Sequence, residues 1–136
     1  VDSAYRLVMQ PPSVDDYLRL RKESGLSART REEAENGING AWAAASVIHV
    51  ESGETAGMGR VLGDGGWYFV IIDMAVLPRH QRKGIGDAIM TALLERIRES
   101  SPGAQVSLLA DPPGRRLYAR HGFVESAPSS IGMWRR

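Results

Sequence analysis

The stretch His80-Gln81-Arg82-Lys83-Gly84-Ile85-Gly86-Asp87 holds the densest concentration of chemically useful residues in this 136-residue chain. It follows the apolar run WYFVIIDMAVLP and precedes the amphipathic segment AIMTALLERIRE, so it reads as a loop between a strand and a helix. The first N–H groups of a helix have no partner within it, and the helix dipole favours negative charge there. Two glycines let a ligand come close to the backbone, and Arg82 and Lys83 add full positive charge beside it. Together these features make a cradle for a phosphate or pyrophosphate. Other phosphate loops fit worse. No Walker A string occurs, and a dinucleotide fingerprint would need Gly or Ala where Ile89 stands. A second glycine-rich stretch, Gly57 to Gly63, has no helix after it and reads as a strand. Asp73 is the one carboxylate inside the apolar run. The chain has no Cys, and His49, His80 and His121 lack the spacing of metal ligands, so neither a thiolate nucleophile nor a metal site is expected.

The elements that must position this loop follow from periodicity and from breakers. Tyr5 to Gln10 alternates and stops at Pro11-Pro12, as a short strand would. Ser13 is a suitable N-cap for the helix VDDYLRLRKES, which has acids in its first turn, one face formed by Val14, Tyr17, Leu18 and Arg21, and Gly25 at its end. Thr30 and Glu33 make a capping box for a second short helix, finished by Gly37 or Gly40. Trp42 to Val50 and Ala56 to Gly63 read as a hairpin about the turn Ser52 to Thr55, and Asp64-Gly65-Gly66 turns the chain again. Trp67 to Leu77 reads as a central strand buried on both faces. Ile85, Ala88, Ile89, Ala92, Leu93 and Ile97 recur at helical spacing and predict a helix from Gly84 to Ser100. Pro102-Gly103 breaks it. Gln105 to Ala110 is then a second buried strand, parallel to the first because a helix joins them. Pro112 or Pro113 opens a further helix running to Gly122, and Ile131 to Arg136 closes the fold as a final strand. The expected class is α/β (α+β), with a mixed sheet carrying a parallel pair at its centre, in one domain over residues 1–136. Ligands of such sheets bind beyond the carboxyl ends of the strands, where connections diverge.

Composition narrows the function further. Hydrophobic residues make up 43% and charged residues 24%, as in a soluble globular domain. No apolar run approaches the roughly 20 residues of a membrane helix. The opening VDSAYRLVMQ has neither the basic start nor the apolar core of a signal peptide, so a cytoplasmic location is expected. Net charge is +1, which gives no global attraction to nucleic acid or to a membrane, and neither partner is expected. The cations cluster at Arg79 to Lys83, Arg115 to His121 and Arg135-Arg136, a pattern that suits a small anionic ligand.

The passage DMAVLPRHQRKGIGDAIM resembles motif A of the GNAT superfamily of acyl-CoA-dependent N-acyltransferases, whose loop reads Gln/Arg-x-x-Gly-x-Gly/Ala. Gln81, Gly84 and Gly86 match it, preceded by the typical Ala75, Val76 and Pro78. DPPGRRLYARHGFVE resembles motif B, with Tyr118 and the pair Gly122-Phe123 at the expected spacing. The element order agrees with the family fold, a mostly antiparallel sheet with a parallel pair at a splay and about four helices. The resemblance implies that the backbone of Gln81, Arg82, Lys83, Gly84, Ile85 and Gly86 holds the coenzyme A pyrophosphate. It also implies that Met74, Ala75 and Val76, on a strand splayed by a bulge, hydrogen-bond the pantetheine arm and the acetyl carbonyl, and that Tyr118 is the general acid near the thioester sulfur. Asp111 stands where many members have Asn, beside the pantetheine. Asp73, close to the implied acetyl site, either orients the amine and takes its proton or holds a loop. DMAV with the ending IGMWRR is locally similar to the glucosamine-6-phosphate N-acetyltransferase branch. The implied activity is direct transfer of an acetyl group from acetyl-CoA to a primary amine of a small molecule, with no metal. A homodimer is expected through pairing of the final strand. The rival reading is a non-catalytic acyl-CoA-binding or regulatory module on the same fold, which would lack proton-transfer groups such as Tyr118 and Asp73.

Overall fold

A computed structural model describes all residues from Val1 to Arg136. The first two helices begin where a side chain can satisfy the free N–H groups of a first turn. Helix α1 (Val14–Ser24) starts at Ser13, whose hydroxyl accepts from the Asp16 N–H, and ends at Gly25 in the left-handed region at φ 89°. Helix α2 (Arg31–Gly37) carries the full capping box: Glu33 N–H donates to Thr30 Oγ1, and Thr30 N–H donates to Glu33 Oε1. Helix α3 (Ile85–Ser100) begins after Gly84, and a short α4 (Arg115–Arg120) follows a 3-10 turn at Pro112–Gly114.

Five strands, β1 (Tyr5–Val8), β2 (Ala43–His49), β3 (Thr55–Gly63), β4 (Tyr68–Val76) and β5 (Gln105–Ser107), lie side by side in chain order. The first three pairings are antiparallel and β4 with β5 is parallel, giving the mixed sheet that the element order predicts. Helix α3 covers one face, packing Ile85, Ile89, Met90, Leu93 and Ile97 onto Ala45, Val47, Val61, Phe69 and Ile71. Helices α1 and α2 cover the other, where Tyr17, Leu20, Ala34 and Ile38 meet Met58, Ala75 and Leu77. Close approach of α3 explains the glycines of β3. A Cβ on Gly57 would lie 2.7 Å from Ile85 Cγ2, and one on Gly59 would lie 2.5 Å from Met74 Sδ and 2.8 Å from Ile89 Cγ2. Bare backbone lets the helix seat there.

Three expectations are corrected. The parallel pair sits at an edge of the sheet, because no strand follows β5. Strand β4 is not enclosed on both faces: Phe69, Ile71 and Ala75 are buried, while Ile72, Asp73 and Met74 remain half-buried. The cause is the shortness of β5, which pairs only as far as Val70 with Ser107 and is itself part-exposed. Ile131 to Arg136 forms no strand, and Ile131, Met133 and Trp134 are exposed. The apolar composition of that ending matches a strand, but it makes no ladder here, so the homodimer expected from its pairing loses that basis.

Candidate functional site

The site is built from a break in the sheet. Strand β3 runs Met58 opposite Ala75 and then Arg60 opposite Ile72, so the single residue Gly59 faces both Asp73 and Met74. This is a β-bulge, and Asp73 takes the left-handed conformation at φ 58° to make it. Such a conformation is costly for a non-glycine residue and persists only where the surroundings hold it. From Ile71 to Val76, the edge of β4 that faces β5 has no strand beside it. Peptide groups along this open edge are free to bond an extended ligand as a strand would. The carbonyl of Val76 at its end accepts from the Gln81 side-chain amide at 3.1 Å.

That edge leads into the glycine loop. Arg82 and Gly84 both have positive φ, 62° and 79°, on either side of Lys83, which curls the chain and turns its N–H groups inward ahead of α3. Nothing lies within 4 Å of the position a Gly84 Cβ would take, so the backbone is open to a ligand there. Arg82 and Lys83 are exposed. Their neighbours in the basic cluster are not free: Arg79 is paired with Glu23 and Glu54, and His80 is buried between the Tyr5 hydroxyl at 2.8 Å and Glu54 at 2.7 Å. Of the cations in the Arg79 to Lys83 cluster, only the two beside the glycines remain available to an anion. These residues fit a coenzyme A pyrophosphate, and the open edge of β4 fits its amide-bearing arm. Gly86 serves a different contact, since its Cβ would meet Leu117 Cδ2 of α4 at 3.2 Å.

Helix α4 brings Tyr118 to the same end of the molecule. The helix is tied to α3 by Asp87, which accepts from Arg120 Nη2 at 3.0 Å and pairs with His121 Nε2 at 2.9 Å. Those bonds, Arg120 first, hold the Asp87 carboxyl below its usual range. The Tyr118 ring lies over Gly114, where a Cβ would come within 2.6 Å of the hydroxyl, and edge-on to Phe123. Burial pushes the Tyr118 phenol above its ordinary value, and the nearby Asp111 charge adds to the effect. Tyr118 therefore keeps its proton throughout the neutral range, as a proton donor must. Asp111 itself is exposed, directly before the 3-10 turn.

Asp73 is fully engaged. Its Oδ1 accepts from Arg21 Nη1 at 2.6 Å, and its Oδ2 accepts from the Tyr17 hydroxyl at 2.6 Å and from Arg60 Nε at 2.9 Å. Arg21 and Arg60 are only 5% and 8% exposed, and both guanidinium carbons lie within 6 Å of the Tyr17 ring centre. Burial, and then the bond to Asp73, raise the Tyr17 phenol above its ordinary value, so it remains a donor. Of the two roles read for Asp73, this geometry favours holding the chain: one carboxylate joins α1, β3 and the bulge of β4. Arg60 and the pairing of Arg21 were missed in the sequence. A signal was present, because Arg21 stands on the apolar face of α1 and Arg60 interrupts an apolar strand.

The sequence pattern of the acetyltransferase (GNAT) domain matches residues 22–134. An uncharacterized N-acetyltransferase of Porphyra purpurea, ycf52, is 27% identical over 78 residues, a match that covers 57% of this chain and 44% of that protein. Among solved structures, a probable acetyltransferase from meticillin-resistant Staphylococcus aureus is 37% identical with a TM-score of 0.90, over 97% of this chain and 98% of that one. A GNAT family acetyltransferase from Streptococcus pneumoniae is 25% identical with a TM-score of 0.79 over the same shares. The glucosamine-6-phosphate N-acetyltransferase of Arabidopsis thaliana shares the fold, at 18% identity and a TM-score of 0.66, over 96% of this chain and 98% of that one.

Proposed function

The chain belongs to the GNAT acetyltransferase family, and from that premise we propose that it moves the acetyl group of acetyl-CoA directly to a primary amine of a small molecule. The observation that carries this reading is the unpaired edge of β4, which runs from the bulge at Asp73-Met74 to the open backbone at Gly84. An acyl-CoA has a pyrophosphate at one end, amides along its arm and a thioester at the other, and this edge offers matching groups in that order. The Gln81 to Gly86 backbone with Arg82 and Lys83 holds the pyrophosphate. The peptide groups of Met74, Ala75 and Val76 bond the arm and polarise the acyl carbonyl, which stabilises charge developing on its oxygen during transfer. Tyr118, kept protonated by burial, supplies the proton to the departing thiolate. Direct transfer needs no nucleophile from the protein, in keeping with a chain that has no Cys. Asp73 acts by position: it holds the bulge of β4 beside the open edge.

Two measurements test the reading together. Calorimetry of coenzyme A binding to the wild type and to the double variant Arg82→Ala, Lys83→Ala should show a loss of at least tenfold in affinity for the variant. A screen of amines, amino sugars, polyamines and peptides should find acetyl-CoA-dependent thiol release. Absence of binding to the wild type would overturn the proposal. Binding without turnover across the screen would leave the non-catalytic acyl-CoA-binding module as the correct description.

A further inference from the structure

A cavity of about 160 Å³ opens between α1, α2 and β3, with Tyr17, Arg29, Glu33, Ala34, Gly37 and Arg60 on its walls. Beside it, and reaching it through Arg60, lies a buried charge cluster. Two buried guanidiniums, Arg21 and Arg60, share the single carboxylate of Asp73, so the cluster holds one positive charge more than it compensates. The other two nitrogens of Arg21 donate to Ser27, one to its carbonyl and one to its hydroxyl. Arg60 has not: Nε goes to Asp73 and Nη1 to the Gly37 carbonyl, while Nη2 has no partner in the chain. No fully buried side-chain nitrogen or oxygen is left unbonded, so Nη2 is not sealed from solvent, and Arg60 is one of the residues that line this cavity. A second guanidinium, Arg29, stands on the wall. Glu33, the one acid on the wall, accepts from the Thr30 N–H at 2.9 Å and keeps its negative charge, which offsets one of the three guanidiniums as Asp73 offsets another, leaving one in excess.

An uncompensated buried charge costs several kcal/mol unless an ion of opposite sign meets it with hydrogen bonds. Guanidiniums do this best with carboxylates and phosphates, whose paired oxygens match their paired N–H groups. The volume corresponds to about five water molecules at roughly 30 Å³ each, room for such a group and a few carbons. The location is chemically apt as well, because Arg60 bonds Asp73, the residue before Met74 in the bulge.

We propose that this cavity is the acceptor subsite and that the acceptor is an amine bearing an anionic group, a carboxylate or a phosphate monoester, received by Arg60 Nη2 and Arg29. The proposal rests on the acetyltransferase reading above for the fate of the amine. It does not rest on it for the binding of the anion. It separates this chain's substrates from neutral amines, polyamines and the uncharged amino sugars.

The test uses matched pairs: β-alanine against β-alanine amide, and phosphoethanolamine against ethanolamine. Binding is first followed by amide NMR of the labelled protein without acetyl-CoA. The anionic member of at least one pair should shift the amides of Ala34, Gly37 and Ile38, with an affinity at least tenfold above its neutral counterpart. Which pair responds tells carboxylate from phosphate. Arg29→Gln, on the exposed rim, should remove most of that difference while leaving coenzyme A affinity unchanged. In turnover, the anionic member should have the higher kcat/KM, and Arg29→Gln should act through KM. Selective anion binding at these amides without turnover would uphold the subsite and overturn only the acetyltransferase reading. Equal binding of both members, faster turnover of the neutral ones, or an anion preference that Arg29→Gln leaves intact would overturn the subsite, whatever the fate of acetyl transfer.

Discussion

Replacing Asp73 by Asn separates a carboxylate that holds the chain from one that takes a proton. The change keeps the shape of the side chain and removes its charge, leaving Arg21 and Arg60 buried without a counter-ion. A hydrogen bond to a charged partner is worth ~1.5–3 kcal/mol net, and of the three that Asp73 accepts the two from arginine are lost or weakened. The amide oxygen can still accept one neutral bond worth ~1 kcal/mol, but its NH₂ group then faces a donor. The balance is about 3 kcal/mol, at the lower end of the ~3–5 kcal/mol for breaking a buried pair. Unfolding entropy of ~2.1 cal/mol/K per residue converts this to a fall in Tm of about 10 °C for a chain of this length. Thermal unfolding followed by circular dichroism reads it directly. Adding Arg21→Met to Asp73→Asn should recover part of the loss, since the double variant no longer buries that lone charge, and a coupling of at least ~1 kcal/mol is expected between residues in direct contact. An Asp73→Asn protein that melts within about 2 °C of the wild type yet loses two or more decades in kcat would refute this reasoning and make Asp73 a catalytic base; the conversion rests on the same entropy scale.

Tyr118→Phe keeps the ring over Gly114 and deletes the hydroxyl; kcat should fall toward the low end of the ~10²–10⁴ range for a general acid, with acetyl-CoA affinity unchanged in calorimetry. Because the Tyr118 phenol is raised above its ordinary value of 10.0, the midpoint of any alkaline decline in the wild-type kcat profile should lie above that value. Gly59→Ala forces a Cβ against Met74 and Ile89, and urea unfolding should report a loss of ~1–3 kcal/mol, the usual cost of overpacking. Glu54 is held down to about 2, chiefly by its bonds to Arg79 and then His80, against 4.5 for the free group. Its folded value is depressed, so its stabilisation is full above pH 4.5 and is lost as pH falls toward 2; Glu54→Gln should flatten the acid limb of stability in that window.

Much of this protein was determined by local sequence. Ser13, the Thr30 and Glu33 pair, Gly25 and the periodic run from Ile85 to Ile97 set their helices through contacts within a few residues, and all of them form as read. The glycine loop between β4 and α3 was legible for the same reason, since Arg82, Lys83 and Gly84 shape adjacent backbone. What lay beyond reach depends on partners far apart in the chain. An apolar run has the same composition whether one or two strands flank it, so Trp67 to Leu77 read as fully enclosed although β5 ends at Ser107 and leaves half of it open. The strand-like ending Ile131 to Arg136 needs a neighbour to pair with, and pairing is a property of the sheet and not of the segment. The same holds for charge. Arg21, Arg60 and Asp73 are separated by as many as 52 positions, and nothing local records that two of them share the third. Only tertiary packing decided that Asp73, which the sequence left between chemistry and holding a loop, would accept from Arg21, Arg60 and Tyr17 beside the bulge.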